Sequence, residues 1–194
     1  MDYKARKAEL RKARLGARDA IEVGVRIEKS LAMADLASEI IAVAPGEVVS
    51  GFFPIRSEAD IRPLMHRLKA RGARLCLPII VDKQTIVFRE IADGIAMVDT
   101  GFGTVGPGPE APVLEPDLML VPLSAFDGTG HRIGYGAGYY DRAIQRLRDM
   151  GRAPRLIGIA FDCQQVDAVP FEGHDVPLDA ILTESGLRYF SKDK

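Results

Sequence analysis

Between residues 132 and 141 the chain reads Arg132-Ile133-Gly134-Tyr135-Gly136-Ala137-Gly138-Tyr139-Tyr140-Asp141, with glycines at alternate positions between strand-like and helix-like sequence. Upstream, Leu118-Met119-Leu120-Val121 is an apolar run of buried-strand type, and residues 122–130 form a polar loop with a turn at Asp127-Gly128-Thr129-Gly130. Downstream, Tyr140, Ala143, Ile144 and Leu147 recur at three- and four-residue spacing, which predicts a helix from about Tyr139 that Gly151 ends. Such a turn opens backbone amides toward the positive end of a helix dipole, the arrangement that holds phosphates. A tight strand-to-helix turn needs the same glycines, so spacing alone leaves both readings open. Arg132, two adjacent tyrosines and Asp141 crowd one short loop, and a mere turn requires none of them.

The rest of the chain alternates helices and strands. Residues 3–20 are rich in Ala, Lys, Arg and Glu and read as a basic helix, with Leu10 and Ala17 as a thin apolar seam among Lys4, Lys7, Arg11, Arg14 and Arg18. A second helix is expected over residues 23–43, burying Ile27, Leu31, Ala34, Leu36, Ile40 and Val43 and stopped by Pro45-Gly46. Residues 47–53 predict the first strand; Ser57 is the expected cap of a helix over residues 59–71, closed by Gly72. Residues 75–81 predict a strand that Asp82-Lys83 turns into a hairpin with residues 85–89, and residues 155–161 predict another. Residues 100–117, dense in Gly and Pro, read as an ordered surface loop; residues 164–177 are irregular and precede a short final strand. This alternation implies an α/β fold, a three-layer α/β/α arrangement around a mixed, mostly parallel sheet, in one domain spanning residues 1–194.

Charge narrows the partners. Twenty-six Lys and Arg stand against 27 Asp and Glu, so no global field favours nucleic acid or a membrane surface. No stretch approaches the roughly 20 apolar residues of a membrane span, and the cytoplasm is the expected location. Cys76 and Cys163, each in an apolar strand-like run, read as buried reduced thiols, and His66, His131 and His174 show no zinc-type spacing.

Several charged residues admit two readings. Lys7 and Arg11, four apart on one helix face, are either solvated or reach phosphates at the glycine loop. Glu58 follows the carboxyl end of a strand, where open α/β sheets collect ligands, but it also suits the first turn of a helix. Asp175 and Asp179, around the final strand, are either turn carboxylates or site residues.

Val121-Pro122, Ala125-Phe126-Asp127, Gly130, Arg132 and the run from Gly134-Tyr135-Gly136 through Ala137-Gly138-Tyr139-Tyr140-Asp141-Arg142 resemble the signature of the 5-formyltetrahydrofolate cyclo-ligase family. Lys7-x-x-Leu10-Arg11 is similar to the family's N-terminal element, and His174-Asp175 with Asp179-x-x-x-Thr183-Glu184 to its closing one. Ala137 stands where many bacterial members carry a further glycine, and Gly103-Thr104-Val105-Gly106-Pro107 departs from the family's usual passage. The resemblance implies an architecture related in outline to sugar-phosphate isomerases and coenzyme A transferases. It implies ATP-dependent conversion of 5-formyltetrahydrofolate to 5,10-methenyltetrahydrofolate, with the formyl oxygen leaving as phosphate. By the same resemblance, Lys7, Arg11, Arg132 and residues Ile133, Gly134, Tyr135, Gly136, Ala137, Gly138, Tyr139 and Tyr140 bind ATP, with Arg132 and Tyr140 nearest the reacting atoms. Phe53, Glu58, Tyr135 and Tyr140 take the folate, Glu58 accepting two pterin N–H groups, and Asp141 and Asp175 carry Mg²⁺. The partners expected are the two substrates, and the assembly a monomer or weak homodimer. Two other classes stand beside this reading: a sugar-phosphate isomerase-like enzyme, and a nucleic-acid or regulatory module built on the basic helix.

Overall fold

In the computed structural model, residues 3–100 and 105–191 are described. Helices α1 (Tyr3–Asp19) and α2 (Val23–Ile40) precede strand β1 (Val48–Ser50), helix α3 (Arg62–Ala70) and strands β2 (Arg74–Ile80) and β3 (Ile86–Glu90). Short strands β4 (Met97–Asp99), β5 (Val105–Pro107) and β6 (Val113–Leu114) lead into β7 (Leu118–Pro122). The hairpin β8 (Ala125–Phe126) and β9 (Arg132–Ile133) then delivers the glycine loop to helix α4 (Tyr139–Asp149). Strand β10 (Arg155–Ile159), a 3-10 turn at Asp162–Gln164, and strands β11 (Ala180–Thr183) and β12 (Gly186–Tyr189) complete the chain.

Eight of these strands form one sheet in the order β12-β11-β10-β7-β1-β2-β3-β6. The neighbours from β11 to β2 pair in parallel, while β12, β3 and β6 add antiparallel edges. Strand period places alternate residues on opposite faces. Val49, Leu75, Leu77, Leu118, Leu120, Ile157 and Leu182 meet α2 and α3 on one side. Cys76, Met119, Val121, Leu156 and Ile181 meet Ala143, Ile144 and Leu147 of α4 on the other. The expected three-layer fold is thus present. The chain runs outward from β1 to β2 and returns on the other side of β1 as β7, so the carboxyl ends of β1 and β7 flank the point where strand order reverses. Ligands of open α/β sheets gather there.

Several local expectations are corrected. Helix α2 ends at Ile40, and its buried face is Ser30, Met33, Ala34 and Ala37. Ile27, Leu31 and Ile40 are exposed, because the small side chains let the helix lie close to its neighbours along a different stripe. Helix α3 starts at Arg62 with Pro63 in its first turn and no side-chain cap; Ser57, buried five residues earlier, bonds Arg18 and Asp19 instead. The Gly- and Pro-rich passage is not wholly loop, since β5 pairs with β4 and β6 with β3. Its departure from the family pattern falls partly on residues 101–104, outside the described residues. Cys76 is buried in β2, where desolvation pushes its thiol up to about 12, but Cys163 sits half-buried in the 3-10 turn rather than in a strand. Among the described residues, no helix is long and apolar enough to cross a membrane.

Candidate active site

A cavity of about 1000 Å³ opens above the carboxyl ends of β1 and β7, walled by α1, the segment after β1, the glycine loop and the start of α4. That volume lies at the upper end for small-molecule sites. The loop's shape follows from local chemistry. Asp127, buried at the β8–β9 turn, accepts from the amides of Thr129 and Val169, each 2.9 Å away, and from the amide of His131 at 3.2 Å, which fixes where β9 begins. Ser124 Oγ donates to the Ile133 carbonyl at 2.7 Å. Beyond β9, Gly136 (φ +101°) and Gly138 (φ +68°) take left-handed conformations that favour glycine. Gly138 is the N-cap of α4 and gives the first amides of the helix no side-chain cap, and Gly138, Tyr139 and Tyr140 line the cavity.

Helix α1 turns its cations inward. Lys4, Lys7, Arg11, Arg14 and Arg18 follow one another at spacings of three and four, the period of a single helix face. Lys7 Nζ lies 2.6 Å from Asp175 Oδ2 and 3.1 Å from Glu172 Oε2. Arg11 Nε donates to the Gly134 carbonyl at 2.7 Å, and the open side of Gly136 faces its guanidinium. Burial lowers the Arg11 pKa, and no carboxylate pairs with this cation among the described residues. Arg14 donates to the Cys163 carbonyl at 3.2 Å, and Arg18 is 1% exposed. The expected Leu10–Ala17 seam is therefore not the principal inward row; Leu10 packs at its edge, against Ala125, Ile133 and Val169.

At the far side of the cavity the chain leaves β1 through Phe52 and Phe53 and makes a tight turn, with Arg56 at φ +54° and the Glu58 amide on the Ile55 carbonyl at 3.2 Å. Glu58 Oε2 accepts from the Ile55 amide at 2.9 Å, and Oε1 accepts from the Tyr135 hydroxyl. Burial pushes the Glu58 carboxyl above its ordinary value, against the opposing influence of Tyr135, Ile55 and Arg18. Between the two ends stands Tyr140, whose buried hydroxyl has no hydrogen-bond partner among the described residues. Burial drives that hydroxyl well above the ordinary phenol range, so it is a neutral donor aimed into the site.

Arg132 is largely enclosed: its side chain is 5% exposed, and Nη2 lies 2.8 Å from Asp141 Oδ1. Nη1 donates to the Val176 carbonyl, while the Val176 amide donates to the same Asp141 oxygen at 3.1 Å. Oδ2 of Asp141 has no hydrogen-bond partner among the described residues. Asp175 spends Oδ2 on Lys7 and on the Glu172 amide; Oδ1 meets His174 Nε2 at 3.8 Å. Burial alone would raise the Asp175 carboxyl, but Lys7 and the Glu172 amide outweigh it and hold the carboxyl below the usual range. Asp179, in contrast, accepts from the Leu156 amide at 2.8 Å and fixes backbone.

All fifteen residues expected at the site line this one cavity. Sequence reasoning missed Glu172 and His174, which adjoin Asp175, and Arg142, which ties the Ala137 carbonyl (2.8 Å) to that of Gln84 (2.7 Å) across the mouth. It also missed Arg18, although the three-and-four spacing of the basic residues was a visible signal.

The sequence profile described as the 5-formyltetrahydrofolate cyclo-ligase family matches residues 3–184. The chain is 31% identical over 149 residues to a 5-formyltetrahydrofolate cyclo-ligase of Escherichia coli, covering 74% of this chain and 81% of that protein. It is 30% identical over 185 residues to one of Mycolicibacterium smegmatis, covering 91% and 93%. The fold is similar to a 5,10-methenyltetrahydrofolate synthetase from Mycoplasma pneumoniae, with a TM-score of 0.74, 25% identity and coverage of 95% and 99%. It is also similar to one from Aquifex aeolicus, with a TM-score of 0.78, 26% identity and coverage of 97% and 94%. This chain belongs to the 5-formyltetrahydrofolate cyclo-ligase family.

Proposed function

We propose that this chain closes 5-formyltetrahydrofolate to 5,10-methenyltetrahydrofolate in a reaction driven by ATP, and that the fifteen residues named above do the work. One observation carries the reading: a single cavity has Lys7, Arg11, Arg132 and a helix N-terminus at one end and the Glu58 carboxylate at the other. A triphosphate suits the first end and an amino-pyrimidinone, with adjacent N–H donors, the second. An N-formyl group is a poor electrophile because its oxygen is a poor leaving group. Attack of that oxygen on the γ-phosphorus expels ADP; attack of N10 on the formyl carbon then breaks the carbon–oxygen bond, and phosphate departs while N10 loses its proton. The protein's part is to align the two substrates and offset charge on the phosphoryl oxygens. Among the described residues, Arg11 brings a cation with no carboxylate partner, and Tyr140 a buried hydroxyl with no hydrogen-bond partner. Phe53 walls the folate end.

Asp141 and Asp175 fit a hard cation, since each keeps one carboxylate oxygen clear of its strong partners on the same wall as the cations. They would hold Mg²⁺, which when bound supplies positive charge to the triphosphate oxygens. The test is to supply 5-formyltetrahydrofolate carrying ¹⁸O in its formyl group, with and without Mg-ATP. Methenyl absorbance that appears only with Mg-ATP, with the label in inorganic phosphate, is expected. Absorbance without ATP, or label in water alone, refutes the proposed course.

A further inference from the structure

The buried cation that the reaction does not use is Arg18. It is 1% exposed, and no carboxylate reaches its guanidinium directly among the described residues. Instead it faces two hydroxyls. Nη1 donates to the Tyr135 hydroxyl at 2.9 Å, and that hydroxyl donates to Glu58 Oε1. Nε donates to Ser57 Oγ at 2.9 Å, and Ser57 donates to Asp19. Each hydroxyl accepts from the cation and donates to an anion, so every proton in the fork has one place to point. A planar guanidinium with rigidly spaced donors holds both branches at once, which a lysine cannot.

We propose that Arg18 is a positioning residue for the folate anchor: through Tyr135 it fixes the Glu58 carboxylate in the orientation and ionised form that accept the pterin N–H groups. This rests on the reading of Glu58 as that anchor. Without the fork, Glu58 would keep only the Ile55 amide on its Oε2 and would sit in a desolvated wall with a bias toward protonation. The groups that face it are Arg18 from α1, Tyr135 from the glycine loop and Tyr140 from α4. Both tyrosines are neutral, their hydroxyls raised above the ordinary phenol range by burial, which leaves Arg18 as the cation among them. Tyr135, expected to serve both substrates, has its hydroxyl committed at the folate end, while its backbone remains in the glycine loop.

The test is steady-state kinetics of Tyr135→Phe, Arg18→Met, Arg18→Lys and Glu58→Gln against pH, varying each substrate in turn. Tyr135 is exposed at 40%, so Tyr135→Phe removes the relay without touching the core. Its KM for 5-formyltetrahydrofolate should rise by about tenfold at pH 6.5, and the acid limb of kcat/KM for folate should move up by about one pH unit, the equivalent of that factor. KM for ATP should stay within about twofold, a change too small to signal a lost charge-assisted bond. Arg18→Met should reproduce the shift if it folds, and Arg18→Lys should recover part of the pH limb but not the KM, because it restores charge without the fork. Glu58→Gln should abolish the limb altogether. If Glu58→Gln disturbs folate binding while Tyr135→Phe leaves both KM and pH limb in place, the relay is refuted and the anchor stands. If Glu58→Gln leaves folate binding unchanged, the anchor reading fails and this inference with it.

Discussion

Asp141 holds Arg132 and lines the cavity with the same carboxylate, and Asp141→Asn tests the structural duty apart from the proposed metal role. Arg132 is 5% exposed, so it cannot regain water when its partner loses charge; Asp141 is 25% exposed. Removing one member of a buried ion pair costs about 3–5 kcal/mol. Asn keeps an acceptor for the Val176 amide, and Arg132 keeps the Val176 carbonyl, so the expected loss is nearer about 2–3 kcal/mol. In a chain of 194 residues each kcal/mol moves Tm by about 2–4 °C, giving a fall of about 4–12 °C. Thermal melts without nucleotide or metal measure this part alone. Turnover titrated with Mg²⁺ measures the other: a metal role predicts a large loss of kcat and a weaker dependence on Mg²⁺. The double variant Arg132→Met, Asp141→Leu removes the unpaired charge but takes both side-chain partners from the Val176 amide and carbonyl, so it should regain only part of the lost Tm while remaining inactive. Should Asp141→Asn melt within about 1 °C of the parent, less than one kcal/mol would be at stake, and the reading of this pair and Val176 as a buried, stabilising link would be wrong.

Arg11→Met should raise KM for ATP by about 10–100-fold, the loss of a charge-assisted bond of about 1.5–3 kcal/mol, and leave KM for folate unchanged; an unchanged ATP KM would return α1 to a surface role. The Lys7–Asp175 pair predicts an acid effect of definite sign. A carboxylate whose folded pKa is depressed adds stability that is present above its unfolded value and lost as pH falls through the folded one. Melts of the parent should therefore lose stability below the ordinary carboxyl value of 3.8, and Lys7→Ala should flatten that limb; parallel limbs in the two proteins would show that Lys7 does not hold Asp175.

The layers of the fold were legible because the continuous apolar runs of β2, β7 and β10 mark strands buried on both faces, and the Ala143, Ile144, Leu147 stripe marks the inward face of α4. Helix α2 misled in part: Ala34 is buried as expected, but the large Ile27, Leu31 and Ile40 are exposed while Ser30, Met33 and Ala37 are buried, so the stripe is rotated from the one that side-chain size suggests. Ser57 sat at a plausible capping position, yet an arginine from a helix thirty-nine positions earlier claimed its oxygen; no local rule anticipates that. The site was legible where one short loop concentrates its chemistry. It was illegible where pairing decides a residue's state, as with Arg132, a charge by sequence and half of an ion pair in space.

The inward cations of α1 carry a consequence for its dynamics. A helix that docks by an apolar stripe stays docked whether or not a ligand is present, whereas α1 is fastened largely through Lys7, Arg11, Arg14 and Arg18 to carbonyls, hydroxyls and carboxylates around the cavity. Water can compete for the partners of the half-buried Lys7, Arg11 and Arg14, though not of the buried Arg18, which places the first turns of α1 among the segments that open at low free energy. A triphosphate between Arg11 and the loop would add its own binding energy to the docked form alone. Amide hydrogen exchange in α1 should then slow on adding nucleotide far more than exchange in β7 or β10, making this helix the reporter of occupancy for the whole molecule. Equal slowing in all three elements would mean that the helix is held as firmly as the core and opens only with it.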